Sequence, residues 1–170
     1  NHQSNVRYAA KLRLLLGIAS RITKSNGADG IPAVREILGE LVSMEAAFAG
    51  LIDGQLHAME QAGNGYVRVN RRYMYAAVNY AVEHYAKICD QIRTLMGGGT
   101  FQMPASIDVI EDASLANDFE TYWSTGDETA VERMKLFRLA WDMLGSEFAM
   151  RHDQYEKFYF GQRFVVRNFN

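Results

Sequence analysis

Residues 95–106 read LMGGGTFQMPAS, and this stretch ends a long helical pattern with three consecutive glycines. Gly97 stands where a helix that finishes at residue 95 or 96 requires a residue that accepts a positive φ. The cap does not need Gly98 and Gly99, whose bare backbone lets a large group approach and leaves N–H donors for an anion. Two interpretations stay open: a helix stop with a loose turn, or a loop that lies against a phosphate-bearing cofactor.

Four longer segments place apolar residues at the three-to-four spacing of a helix with one buried face. They cover residues 4–24, 32–61, 71–96 and 128–159. Residues 63–70 read as a loop with a short extended piece, and residues 107–119 as a partly helical segment. Because no segment shows strand-like alternation, we expect an all-α fold, an antiparallel four-helix bundle.

The apolar stripes predict which side chains face the core. Lys11 falls off the stripe of the first helix, and His84 lies on the stripe of the third, where a satisfied core histidine is expected. Cys89 is expected to be a quiet packed thiol. The stripe of the fourth helix continues into aromatic residues, which are therefore expected to face inward: Met134, Phe137, Trp141, Leu144, Phe148, Tyr155 and Tyr159.

Composition excludes several classes of function. One hundred and seventy residues suit a single domain, and 48% apolar with 22% charged residues is ordinary for a globular protein. A net charge of −2 gives no reason to expect a nucleic-acid partner or an anionic membrane. The single cysteine suits a reducing compartment, so a cytoplasmic location is expected. Neither a membrane span nor a signal peptide is visible.

A second stretch, residues 139–161, reads LAWDMLGSEFAMRHDQYEKFYFG. It resembles the C-terminal signature of the two-component, flavin-dependent aromatic monooxygenases typified by the oxygenase component of 4-hydroxyphenylacetate 3-monooxygenase. The run LMGGG followed by PAS, and the opening NHQSNVR at residues 1–7, also fit this family. The resemblance implies that residues 1–170 are one C-terminal helical domain, a piece of a larger three-domain flavoenzyme with acyl-CoA dehydrogenase-like architecture.

The resemblance implies a complete chemistry that this domain would serve. Such enzymes take reduced FAD, or FMN, from a separate flavin reductase. Oxygen adds to form a C4a-hydroperoxyflavin, which hydroxylates 4-hydroxyphenylacetate or a related phenol beside its hydroxyl group. Relatives assemble as homo-oligomers, dimers or tetramers. Because the phenol is held chiefly by the upstream domains, no catalytic residue is expected in this chain, and alone it is expected to be inactive.

Carried over position by position, the family motifs select candidate flavin-binding residues. They are Gly97, Gly98, Gly99, Thr100, Gln102, Ser146, Arg151 and His152. Ser106 is a further polar neighbour of the glycine loop. The role of the C-terminal signature is left open between flavin contact, subunit contact and both.

Arg151 and His152 form a basic pair between two residues that are expected to face inward. Such a pair should have an anionic or hydrogen-bonding partner, either in an intrachain ion pair, for example with Glu156, or in a flavin or the residues next to it. No metal site is expected, since the chain has no HxxxH, CxxC or Glu-x-x-His spacing. The Gly-x-Ser-x-Gly pattern that places a nucleophilic serine on a sharp turn is also missing.

Two other functions remain as alternatives. One is a 4-hydroxybutyryl-CoA dehydratase-like flavoenzyme, whose iron–sulfur ligands would lie mostly upstream. The other is a non-catalytic helical assembly module. The apolar tail at residues 164–166 needs a surface to cover it, which agrees with an oligomer.

Overall fold

The structure is a computed structural model that describes residues 1–169, so the last residue of the predicted domain lies outside the described part. Helices dominate it, and one small hairpin interrupts them. The elements in chain order are α1 (His2–Ser25), α2 (Pro32–His57), β1 (Glu60–Gly63), β2 (Tyr66–Arg68), α3 (Arg71–Met96), α4 (Gly99–Gln102), α5 (Asp108–Glu111), α6 (Ala113–Trp123), α7 (Ala130–Leu144), α8 (Glu147–Phe158) and α9 (Arg163–Arg167).

The three long helices α1, α2 and α3 pack on one another, α7 packs against α1, and α8 and α9 pack against α3. Tyr8 of α1 lies at the centre of the core, with its ring centroid 4.9 Å from Phe48 of α2 and 6.1 Å from Tyr85 of α3. Each of these rings is at most 1% exposed. Burying one such side chain stabilises the fold by about 2 kcal/mol, so the three helices are held by their facing aromatic residues.

The predicted first three helices are confirmed, and their ends follow capping rules. Pro32 occupies the first turn of α2, where its missing N–H costs nothing. Asn70 caps α3 by accepting a hydrogen bond from the N–H of Tyr73. Gly97 ends α3 with φ +56°, as the sequence predicts.

The hairpin corrects the all-α prediction. α2 ends at His57 rather than residue 61, because residues 60–63 pair antiparallel with 66–68. Three consecutive residues, Gly63, Asn64 and Gly65, have φ of +89°, +50° and +79° at the turn. Two glycines and an asparagine accept this left-handed backbone readily, which explains why the chain reverses here.

The predicted fourth helix is broken in two. α7 ends at Leu144, where the N–H groups of Gly145 and Ser146 both donate to the carbonyl of Trp141. The Ser146 hydroxyl then accepts from the N–H of Ala149 and starts α8. The helix also starts later than predicted, because Thr129 is the N-cap before Ala130 and forms a capping box with Glu132 in the first turn.

The break also ends the inward-facing stripe. Met134, Phe137 and Leu144 of α7 are buried, as predicted. The prediction is wrong for Trp141, which is 39% exposed within α7, and beyond the break for Phe148, Tyr155 and Tyr159, which are 55%, 39% and 48% exposed. A continuous 3.6-residue stripe requires one straight helix, and the cap at Ser146 turns α8 away from that axis.

Within residues 1–169, no helix is long and apolar enough to cross a membrane.

Candidate functional site

The glycine loop lies against α7. A Cβ at Gly99 would overlap the ring of Phe137, which is fully buried. The large group that this glycine admits is therefore a ring of the same chain. Gly98 is open by comparison, since its nearest neighbour is the Gln102 side chain at 3.7 Å.

Gly99 and the three residues that follow it form the single turn of α4. The Gln102 N–H donates to the Gly98 carbonyl at 3.0 Å, which closes that turn. Thr100 is half-buried and Gln102 is exposed. Between them Phe101 is 92% exposed, so this end of the molecule presents an uncovered aromatic ring beside polar side chains.

Arg93 joins the end of α3 to the break between α7 and α8. Its Nε and Nη2 donate to the Leu144 carbonyl at 3.0 and 2.6 Å. The Leu144 carbonyl, at the C-terminal end of α7, has no hydrogen-bond partner within its own helix, and the Arg93 guanidinium supplies one. The positive charge of Arg93 also interacts favourably with the negative end of the α7 dipole. Arg93 was not among the residues selected from the sequence, although a basic residue in the last turn of a long helix is a recognisable signal.

Ser146 and Arg151 both have structural partners. Ser146 caps α8, and its hydroxyl also donates to the Asp142 carbonyl at 2.9 Å. Arg151 pairs with Glu147 one turn earlier, and the two side chains are 77% and 80% exposed. An exposed pair of this kind contributes little stability, so the Arg151 guanidinium is available to a ligand at small cost.

The basic pair has an intrachain ion pair, as expected, but through Arg151 and Glu147, whereas Glu156 pairs with two other residues. Glu156 is 1% exposed and accepts from Arg7 of α1 at 2.6 and 2.9 Å, and also from Lys11. Burial disfavours its ionised form, but the hydrogen bonds from Arg7 and Lys11 outweigh burial and hold the pKa of Glu156 below its usual range. The carboxylate therefore ties α8 to α1, across almost the whole length of the chain.

His152 contacts the same cluster from its outer side. The Lys11 Nζ lies 2.6 Å from His152 Nδ1. Burial, and next the charge of Lys11, lower the pKa of His152. Lys11 was predicted to fall off the buried stripe, yet only 9% of it is exposed, because α8 covers that side of α1.

Four rings on α8 and at its C-cap form a continuous row, which we name the aromatic face of α8: the exposed Phe148, Tyr155 and Tyr159 and the half-buried His152. Successive centroids are 4.6, 5.8 and 4.7 Å apart. The Arg7 guanidinium lies 4.7 Å from the Tyr155 centroid, a cation–π distance. Aromatic rings beside a cation form a surface suited to a flat, electron-rich ligand or to another protein surface.

The two groups of candidates make no direct polar contact. The glycine loop contacts α7 through Phe137, whereas His152 contacts α1 through Lys11. No hydrogen bond or ion pair among residues 1–169 joins Gly97–Gln102 to Ser146, Arg151 or His152. Arg93 links the two groups indirectly, since it lies in the last turn before the glycine loop and bonds the Leu144 carbonyl just before Ser146.

His84 and Cys89 make packing and hydrogen-bonding contacts within the fold. His84 stacks on Tyr80 with centroids 4.0 Å apart, and its Nδ1 lies 2.9 Å from the Tyr80 carbonyl. Cys89 is buried, and burial raises the pKa of its thiol, so it is the packed thiol that the sequence predicts. Across the described part of the chain, no three His, Cys, Asp or Glu side chains are grouped to hold a metal ion.

Two clefts lie away from the eight candidate flavin-binding residues. The larger, of about 970 Å³, lies between the end of α1 and the start of α7, with Arg21, Lys24 and Glu128 in its wall. Arg21 and Ser25 both hydrogen-bond Glu128 there, so the charge of Glu128 is paired with that of Arg21. The smaller, of about 170 Å³, includes Ser106, the additional polar residue that the sequence suggests. Neither cleft includes any of the eight residues.

Comparisons with known proteins cover the whole described chain. The family model of the 4-hydroxyphenylacetate 3-hydroxylase C-terminal region (HpaB) matches residues 1–169. The oxygenase component of 4-hydroxyphenylacetate 3-monooxygenase from Thermus thermophilus is 31% identical over 161 residues, 94% of this chain and 33% of that protein. The chain thus spans about a third of the length of the curated relatives that it matches.

Solved structures give the same fold. The crystal structure of the oxygenase component HpaB complexed with FAD and 4-hydroxyphenylacetate superposes with a TM-score of 0.93 at 26% identity, covering 99% of this chain and 35% of that one. An archaeal 4-hydroxybutyryl-CoA dehydratase from N. maritimus superposes with a TM-score of 0.88 at 15% identity, covering 98% and 33%. The likeness to the dehydratase shows the fold alone.

Proposed function

The chain belongs to the 4-hydroxyphenylacetate 3-hydroxylase C-terminal (HpaB) family, and from this premise we propose that it is the C-terminal helical domain of a reduced-flavin-dependent phenol monooxygenase. The observation that carries the proposal is the match of the family model to residues 1–169. It is supported by the superposition on the structure of HpaB with FAD and 4-hydroxyphenylacetate. The substrate is 4-hydroxyphenylacetate or a related phenol, and a flavin reductase supplies the reduced flavin.

The proposed cofactor is FAD in its reduced form, with FMN as the alternative. When bound, reduced flavin supplies the activation of oxygen, and the protein orients the ring and excludes water. The aromatic face of α8 fits a flat ring, and the cation of Arg7 beside it fits an electron-rich one. His152 and Arg151 are the two proposed contacts with free hydrogen-bonding capacity on this face.

The glycine loop is a second proposed contact region. Gly97, Gly98, Thr100 and Gln102 lie near the surface and can approach a phosphate or ribose of the cofactor. Gly99 has a different role in this proposal, because its missing side chain makes room for Phe137 and so places the loop. Ser146 acts by starting α8 and orienting the aromatic face.

The finer architecture belongs to the same proposal. Helices α1, α2, α3 and α7 form an antiparallel four-helix bundle of acyl-CoA dehydrogenase type, as one domain of a three-domain flavoenzyme in the cytoplasm. Exposed apolar residues of the C-terminal part favour a homo-oligomer, a dimer or tetramer. They are Phe158, Phe164 and Val165, which are 56%, 63% and 37% exposed. The phenol and its catalytic groups are held outside this domain, which contributes flavin contacts only.

The test uses the complete gene product that contains this chain. It is titrated without oxygen with reduced and with oxidised FAD, and then oxygen and 4-hydroxyphenylacetate are admitted. We expect tighter binding of reduced FAD and a catechol product. Equal binding of the two redox forms together with no hydroxylated product from any phenol would contradict the proposal. An iron–sulfur absorption spectrum would instead support the dehydratase-like alternative.

A further inference from the structure

The cluster at the α1–α8 contact has an asymmetric arrangement of charge. Arg7 and Lys11 bring two cations, and Glu156 brings one anion. Glu156 is 1% exposed and the Lys11 side chain is 8% exposed, so water screens these charges weakly. A third cation at His152 would face an ammonium 2.6 Å from its Nδ1. Burial of the ring and, next, repulsion from the Lys11 ammonium both disfavour the imidazolium and lower the pKa of His152.

The hydrogen bond itself selects one form of the neutral ring. An ammonium group has three donors and no acceptor, so Lys11 can only donate to His152. Nδ1 must then be the acceptor, and the single proton of the neutral ring resides on Nε2. Lys11 is held in place by its second bond, to Glu156, which Arg7 also binds through two nitrogens.

The opposite edge of the ring faces outward. His152 is half-buried between Phe148 and Tyr155, at centroid distances of 4.6 and 5.8 Å. Within residues 1–169 its Nε2 has no protein hydrogen-bond partner, and it is not one of the buried atoms left unsatisfied. A buried donor without a partner would be costly, whereas this one lies in the aromatic face of α8 and can meet a ligand.

We infer that Lys11 is a positioning residue, which keeps His152 neutral with its proton on Nε2, so that this N–H donates to an oxygen acceptor of the bound flavin. The identity of the ligand rests on the proposed function, but the state of the ring does not. The acceptor is a ring carbonyl or a phosphate oxygen, since both offer the same lone pairs. The donor is then present on either side of the pKa of His152, so binding through it does not vary near neutral pH.

The surroundings of the ring define what a variant should do. The titratable and charged groups around His152 and Lys11 are Arg7 on α1, Tyr85 and Cys89 on α3, and Asp153, Tyr155 and Glu156 on α8. Lys11→Met removes the ammonium and frees Glu156 on the Nδ1 side of the ring. Nδ1 should then gain a proton, and the pKa of His152 should rise, because a carboxylate replaces a cation as its neighbour.

The first experiment measures the ring directly, by long-range proton–nitrogen NMR correlation on the isotope-labelled protein across pH. The signals of His152 are assigned by their loss in His152→Gln. In the native protein near neutral pH we expect Nδ1 unprotonated and Nε2 protonated. Lys11→Arg, which keeps a cationic donor, should preserve this pattern, and Lys11→Met should protonate Nδ1. The double variant Lys11→Met with Glu156→Gln should return the pKa toward its ordinary value.

Two results would overturn the positioning role. One is native His152 charged, or protonated on Nδ1, near neutral pH. The other is a Lys11→Met protein whose His152 titrates as in the native protein with Nδ1 still unprotonated. If Lys11→Met does not fold, the native spectrum and the Lys11→Arg spectrum still decide the question.

The second experiment measures flavin binding with a matched pair of variants. His152→Gln keeps an amide N–H near the Nε2 position and should retain most of the affinity for reduced FAD. His152→Asn places its amide near the Nδ1 position and should bind about tenfold more weakly, the loss of one hydrogen bond. Equal affinities in the two variants would refute donation through Nε2. Repeating the pair with riboflavin distinguishes the acceptors, since a phosphate contact shows no difference there and a ring carbonyl does.

The two proposals fail separately. If no flavin binds to the native protein, the proposed function fails while the NMR result still decides the role of Lys11. If flavin binds and the ring is charged, the positioning role fails and the proposed function stands.

Discussion

Arg7, in the second turn of α1, donates two hydrogen bonds of 2.6 and 2.9 Å to the carboxylate of Glu156, near the end of the chain. This bidentate pair is the strongest polar link between α1 and α8. It fixes the position of the aromatic face of α8, because His152 and Tyr155 lie on the same short helix and Tyr159 caps its C-terminal end.

Removing the carboxylate should strongly destabilise the protein. In Glu156→Gln, Arg7 and Lys11 keep their charges without an anion, and Lys11 is buried. We expect a loss of about 2–4 kcal/mol in the free energy of unfolding, measured by urea denaturation. Glu147→Gln is the matched control, since its pair with Arg151 is exposed and should cost at most about 0.5 kcal/mol. Similar losses in the two variants would contradict the special role of Glu156.

The glycine loop offers a test of close packing. Gly99→Ala places a methyl group into the Phe137 ring and should cost about 1–3 kcal/mol, because the ring or α4 must shift. Gly98→Ala next to it has its nearest neighbour at 3.7 Å and should be close to neutral. Thermal denaturation of the pair measures the difference. If Phe137→Leu costs no less in the Gly99→Ala background than alone, then the overlap is not the cause.

The start of α8 depends on one hydroxyl. Ser146→Ala removes the acceptor for the Ala149 N–H and should cost about 1 kcal/mol. Ser146→Asp keeps an acceptor at the positive end of the helix and should retain the stability. Hydrogen exchange at the Ala149 amide is the direct measure, and it should be faster in the alanine variant alone.

Stability should fall as the pH drops below about 6.5, the ordinary pKa of histidine. The pKa of His152 is lowered in the folded state, so the unfolded chain binds a proton first. The contribution is fully present above 6.5 and is lost as the pH falls toward the folded-state pKa. Glu156 adds a second loss of the same sign, which begins near its ordinary pKa of about 4.5.

Denaturation curves at several pH values measure this dependence, and His152→Gln serves as the comparison. The variant should lose the decline between about pH 6.5 and the folded-state pKa of His152, and should keep the more acidic one. A variant with the native pH profile throughout would show that His152 is not its source.

Local patterns predicted much of the secondary structure correctly. The end of α3 at Gly97 and the start of α2 at Pro32 follow from backbone rules that act within one turn. The hairpin at residues 60–68 was missed because its two strands are short and exposed, so that they show no alternation of apolar residues. The break before α8 could have been recognised from Gly145-Ser146, a stop followed by a cap.

In the candidate site, the contacts of His152 could not be predicted from local patterns. The sequence identified Arg151 and His152 as a basic pair in need of a partner and offered Glu156 as an example of one. The actual partner of His152, Lys11, is 141 residues away in the sequence. Its aliphatic stem and ammonium lie on a side of α1 that reads as solvent-exposed until α8 covers it.

The sequence by itself determined the first three helical segments, the start of α2 at Pro32, the end of α3 at Gly97 and, through its two motifs, the family, because these depend on residues that are neighbours along the chain. The tertiary structure decided which charges meet, which aromatic residues remain outside, and that Phe137 fills the space at Gly99. These depend on how helices from opposite ends of the chain approach each other. Such contacts join residues far apart in the sequence, 38 positions for Gly99 and Phe137 and 141 for Lys11 and His152, and no local spacing encodes them.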